Sequence, residues 1–128
     1  MKTVYIAALA VSLAACNTAP NAPVEDSMSF APITDTATFN KQIADRRLEF
    51  PDNPEIWFEL KSNGTMTGEL KGGTVTGTWE FSDGFWCREF KAGGTARPRD
   101  CQTVERAGNQ VRFTRNRGAG DAGVYLMK

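Results

Sequence analysis

The chain has no histidine, and its 128 residues include only three cysteines. Without histidine the commonest general base is missing, so neither a Ser–His nor a Cys–His nucleophilic pair can form. Three cysteines without Cys-x-x-Cys spacing, and no imidazole to join them, exclude the usual zinc arrangements; no metal site is expected. No Gly-x-Ser-x-Gly elbow is present, and no Gly-x-Gly-x-x-Gly follows a strand to open a helix. No glycine-rich phosphate loop closes on Lys-Ser or Lys-Thr, and no cofactor is expected. The Gly118-Ala119-Gly120-Asp121 stretch lies between two strand patterns and reads as a turn. An excess of one charge is also missing. The chain carries 15 Lys+Arg against 15 Asp+Glu, which argues against a nucleic-acid partner.

Long hydrophobic runs are scarce. The longest, Val4 to Ala15 broken only by Ser12, falls short of the roughly 20 residues a membrane-spanning helix needs. It follows Lys2 and ends in Leu13-Ala14-Ala15-Cys16, which fits the apolar core and small-residue end of a secretory signal. That ending resembles the lipobox of bacterial lipoproteins, in which the cysteine is acylated and becomes the first mature residue. The expectation is a signal peptide over residues 1–15, lipidation (palmitate among the acyl chains) at Cys16, and a tether over residues 16–29. A single domain would then occupy residues 30–128. The membrane is a partner through this anchor, and the protein is expected in the cell envelope facing the periplasm. Asn17 after the acylated cysteine favours the outer membrane over the inner.

With Cys16 acylated, Cys87 and Cys101 remain. An isolated pair in a small domain of an oxidising compartment predicts a structural disulfide. The two halves differ in charge. Residues 17–83 hold 5 basic and 11 acidic groups, and residues 84–128 hold 9 and 4. Complementary strands in one compact fold account for this; a basic face toward anionic lipid or an acidic partner is the sharper alternative, marked by Arg97, Arg99, Arg112, Arg115 and Arg117.

Past the tether, Thr36 or Thr38 can cap a short helix of about ten residues, with Phe39 and Ile43 one turn apart and Asp45-Arg46-Arg47 at its exposed end. Period-two alternation then predicts strands over 55–62, 65–70, 74–81 and 85–90. Three more follow over 101–106, 110–115 and 122–127, and 47–50 is a further candidate. Asn63-Gly64 and Asp83-Gly84 signal two-residue hairpins, Gly72-Gly73 a turn, and residues 91–100 a polar loop. Thr65-Met66-Thr67-Gly68 and Thr74-Val75-Thr76-Gly77 repeat at nine residues, as arms of successive hairpins. The predicted class is all-β with one short N-terminal helix. It is a small antiparallel up-and-down meander, barrel- or sandwich-like, with the helix over one open end.

Two groups of side chains stand above this background. Trp79, Phe81, Phe85, Trp86 and Phe90 flank the Asp83-Gly84 turn and either fill the core or line a pocket. In the second case Trp79 and Trp86 form the wall and Arg88 is the polar anchor. Arg115, Arg117 and Asp121 mark a loop that either pairs with itself or offers a contact surface. Glu80, Glu89 and Asp121 are the carboxylates that an acid–base enzyme would require to converge.

The succession Val75-Thr76-Gly77-Thr78-Trp79, Gly84-Phe85-Trp86-Cys87-Arg88, Asp100-Cys101-Gln102-Thr103-Val104 and Arg112-Phe113-Thr114-Arg115-Asn116-Arg117-Gly118-Ala119-Gly120-Asp121 resembles a group of small exported alphaproteobacterial proteins. The resemblance covers about residues 30–128 and implies an exported β domain. Those proteins often carry the label dihydrodipicolinate reductase. That reaction uses a reduced nicotinamide cofactor on a dinucleotide-binding βαβ domain, whose glycine fingerprint between a strand and a helix this chain lacks, so no catalytic residue is carried over. The expected activity is binding rather than catalysis, as a carrier, adaptor or inhibitor. The partner would be a small apolar ligand or an envelope protein; an envelope enzyme using carboxylates is the alternative.

Overall fold

The computed structural model describes residues 29–128. The expected signal peptide, Cys16 and the tether up to residue 28 lie outside them. The described elements are β1 (Ala31–Ile33), α1 (Thr36–Gln42), β2 (Arg47–Phe50), β3 (Asn53–Leu60), β4 (Thr65–Leu70) and β5 (Gly73–Ser82). After them come β6 (Phe85–Ala92), β7 (Thr95–Ala107), β8 (Gln110–Thr114), a single 3-10 turn (Asn116–Gly118) and β9 (Ala122–Met127). From β2 to β9 each strand pairs antiparallel with the next, and β9 returns to β2, with Leu48 opposite Met127. Eight strands therefore close into an up-and-down barrel rather than a sandwich. β1 continues the sheet along β7 (Ile33 opposite Val104) just past the last β6 pairing at Gln102.

Alternation sets the inside of the barrel. Along β5, Val75 and Trp79 are buried, while Thr74, Thr76, Thr78 and Glu80 face water. Gly77 takes the inward position between them. A Cβ there would lie 2.4 Å from the Glu89 carbonyl oxygen and 2.5 Å from Phe90 Cβ, so glycine is what lets β5 and β6 approach and curl. The nine-residue repeat forms the two arms of one hairpin, with Thr67 opposite Thr76.

Turn chemistry explains where expectation and structure part. Asp83-Gly84 makes the two-residue turn, both residues at positive φ (52° and 81°). Asn63-Gly64 does not. Lys61 and Thr65 close a three-residue connection with Gly64 at φ 89°, because Asn63 Oδ1 accepts from the Thr65 N–H and hydroxyl. Residues 91–100 are not a loop. Gly93-Gly94 alone turns the chain, at φ 56° and 84°, and the β6–β7 ladder resumes at once with Ala92 opposite Thr95.

The helix is shorter than expected, and its cap is Asp35 rather than a threonine. Asp35 Oδ1 accepts from the Thr38 N–H at 2.8 Å and Oδ2 from its hydroxyl at 2.9 Å. Phe39 and Ile43 are fully buried, and the Phe39 ring lies 4.8 Å from Trp79 and 5.4 Å from Phe81. The chain then leaves through Asp45, whose N–H donates to Leu60 O and whose Oδ1 accepts from the Ser62 N–H. These contacts seat α1 over the barrel end that carries the β3–β4 and β5–β6 turns.

Cys87 and Cys101 form the disulfide. They stand directly opposite in the β6–β7 ladder, so the bond locks that register.

Candidate functional site: a barrel cavity with a buried arginine

In an up-and-down barrel successive connections alternate between the two ends. The 51–52, 71–72, 93–94 and 115–121 connections therefore lie at the end away from α1. There the interior is not filled. A cavity of ≈ 270 Å³ opens between Phe50, Leu70, Arg115 and Asp121 at its rim and runs inward to Leu60, Met66, Trp86 and Phe113. Phe58, Phe90 and Tyr125 complete a mainly aromatic wall, and Arg88 and Gln102 supply polar groups.

The local sequence places Arg88 inside. Alternation along β6 turns Trp86, Arg88 and Phe90 inward together. Opposite them β7 bulges, with Pro98 and Arg99 facing Glu89 alone between the pairs Arg88–Asp100 and Phe90–Arg97. Proline fits a bulge because it has no N–H to offer the ladder. Its carbonyl accepts from Arg88 Nη1 at 2.8 Å. Asp100 Oδ2 lies 3.8 Å from Arg88 Nη2, beyond hydrogen-bond length, and instead accepts from Gln102 Nε2 at 2.8 Å. Asp100 Oδ1 accepts from the Asn116 N–H at 3.1 Å, tying the 115–121 connection to β7.

Arg88 is 6 % exposed. Burial is the main cause that pulls its guanidinium below the usual arginine value; Asp100 opposes this, and the nearby charges of Arg115 and Arg97 add to it. Burial likewise pushes the Tyr125 phenol up, with Arg115 and Arg88 pulling it back. The cavity thus has a low-dielectric wall bearing a cation whose acidic neighbour is largely engaged elsewhere. Trp86 adds a second unmet need: its indole N–H is buried and has no hydrogen-bond partner.

Of the residues expected to line a pocket, Trp86 and Arg88 do and Trp79 does not. Trp79 packs under α1, and its Nε1 donates to Lys61 O at 3.0 Å. The loop residues divide as well. Arg115 and Asp121 border the cavity and are joined through the backbone, Arg115 N–H to Asp121 O at 3.0 Å. Arg117 lies on the outer surface, its guanidinium 5.6 Å from the centre of the Phe85 ring. Among the expected carboxylates, Glu80 pairs with Arg99 outside the barrel, Glu89 is exposed on the outer face of β6, and only Asp121 reaches the cavity. The five arginines do not form one patch, since Arg99 is held by Glu80 and Arg112 by Glu105, over the Phe30 ring.

Nothing in the sequence marks Gln102, Tyr125, Phe58 and Phe113 as lining a cavity. Their only signal is strand parity, which marks the inward face without distinguishing residues that fill a core from those that line a space. The strand pairings among the described residues are antiparallel, so the βαβ cradle for a dinucleotide pyrophosphate has no counterpart there. Comparison of the chain with protein-family models, with curated proteins and with solved structures finds no match in any of the three.

Proposed function

We propose that this protein is a lipid-anchored component of the bacterial cell envelope that works by binding a small, mainly apolar molecule inside its barrel. The observation that carries the binding reading is the ≈ 270 Å³ cavity, walled by aromatic and aliphatic side chains and open at the end opposite α1. Eight strands enclose an interior that side chains can just fill or that can hold one small ligand, and here part of it is left open. The carboxylate-enzyme alternative loses support, because Glu80, Glu89 and Asp121 do not share a cleft.

Anchoring rests on the Leu13-Ala14-Ala15-Cys16 ending and the export signal before it. Native mass spectrometry of the full chain, purified from its own envelope, tests the binding reading. A co-purifying small molecule, lost when Phe58 is changed to a charged residue, is the expected result. An empty barrel that also ignores hydrophobic probes would overturn it. Labelled palmitate should enter the wild-type chain and not Cys16→Ser; incorporation into both would refute the anchor.

A further inference from the structure

Given that cavity as a binding site, we infer that its ligand is a monoanion, an apolar body of about ten non-hydrogen atoms with a carboxylate or similar oxyanion head held by Arg88. This deepens the reading above and rests on it. The size follows from volume. A cavity of about 150 Å³ takes benzene, so ≈ 270 Å³ suits a molecule such as octanoate.

The sign of the head follows from Arg88. A guanidinium has five N–H donors, and one meets Pro98 O. Its nearest carboxylate, Asp100, stands 3.8 Å away and is hydrogen-bonded to Gln102 and to the Asn116 backbone. Arg88 is thus a buried cation with one loose ion pair to Asp100 and the Phe90 ring at 4.9 Å, and it keeps N–H donors for an anion to complete. The surrounding charge points the same way, since Arg97 and Arg115 act on Arg88 alongside the single carboxylate of Asp100. Asp121 at the rim disfavours a polyanion, and the aromatic wall disfavours a fully hydrated one.

Trp86 forms part of the wall beside Arg88. The residue is 4 % exposed and part of the cavity wall, and its N–H is without a partner. An oxyanion head can accept from the Arg88 guanidinium; a protonated amine head cannot.

Titration of the full chain with octanoate, octanol and octylamine at low ionic strength tests the inference. Octanoate should bind about tenfold or more tightly than octanol, and octylamine most weakly. Octanoate should also shift the Trp86 indole N–H resonance and leave that of Trp79, already bonded to Lys61 O, in place. Arg88→Met should reduce octanoate affinity about tenfold and leave octanol unchanged. If Arg88→Met does not fold, Arg115→Met at the rim replaces it, with a loss that shrinks as salt is added. Equal binding of octanol and octanoate would overturn the anionic head while leaving the apolar cavity standing. Failure of all three probes to move the Trp86 resonance would overturn the binding reading itself.

Discussion

Trp79 and Trp86 carry the same indole on the same inward face of neighbouring strands, yet their N–H groups meet opposite fates. The Trp79 N–H is satisfied by Lys61 O, at the turn that α1 covers, whereas the Trp86 N–H is buried and unpaired. Losing a made hydrogen bond costs stability, while removing a buried donor that has no partner relieves a desolvation cost. Trp79→Phe is therefore expected to be less stable than Trp86→Phe by about 1 kcal/mol, read from urea midpoints. Equal midpoints would mean that the Trp86 donor is satisfied in solution. The ligand response should run the other way, with Trp86→Phe weakening octanoate binding and Trp79→Phe sparing it. Arg88 shows the same logic in charged form: its place is fixed by Pro98 O, and its charge is met only by a 3.8 Å ion pair with Asp100.

At the scale of elements, α1 and the β6–β7 hairpin hold the cavity in shape from its two ends. α1 hangs on its cap. Thr38 donors hold the Asp35 carboxyl below its ordinary value, and Ser62 donors do the same for Asp45 just beyond the helix. For a carboxyl whose folded pKa is depressed, the stabilisation is complete above the unfolded value near 3.8 and is lost as pH falls through the folded one. The melting temperature should therefore drop as the solution is acidified below about pH 4, and less steeply in Asp35→Asn. An unchanged slope in that variant would remove the cap from the account. The β6–β7 pair depends on its disulfide. Replacing Cys87 and Cys101 by serine should cost about 3 kcal/mol on chain-entropy grounds, measured by urea unfolding. Octanoate affinity should fall with it, because the same register sets Arg88 against the Pro98 bulge.

These elements also show what the sequence discloses and what it hides. β4 is legible to the residue, because Met66 alternates with threonines and a glycine turn bounds each end; β9 is legible as a short apolar run after the glycine-rich turn. The first half of β7 reads as a loop because Arg97, Arg99 and Asp100 are charged and Pro98 lacks an N–H, and only pairing across Gly93-Gly94 makes them a strand. β1 is three residues long and exists through its pairing with β7, so no local pattern announces it. Within the site, Trp86 and Arg88 are legible from parity beside a charged residue that ought to be outside. Trp79 shares that parity and is not in the site, since a helix from elsewhere in the chain fills the space beside it.

Over the whole molecule, the barrel is asymmetric along its axis: one end is closed by Phe39 and Ile43, the other is bordered by Arg115, Asp121 and the glycine-rich connection. A ligand that enters at the open end should stabilise the fold without changing the closed one. At a hundredfold excess over the dissociation constant, binding to the folded state alone adds about 2.7 kcal/mol, visible as a raised melting temperature. Its distribution is the more informative measurement. Amide exchange should slow most across residues 115–123 and at the adjoining ends of β2 and β4, where the rim would gain contacts. Amides of α1 should slow only by the global amount, since Asp35 and Trp79 already hold that end. Extra protection concentrated on α1 would place the entrance at the helix end and reverse the orientation assigned to the cavity. Protection around the rim, reduced in Arg88→Met at the same octanoate concentration, would tie the open end, the buried cation and the bound anion into one device.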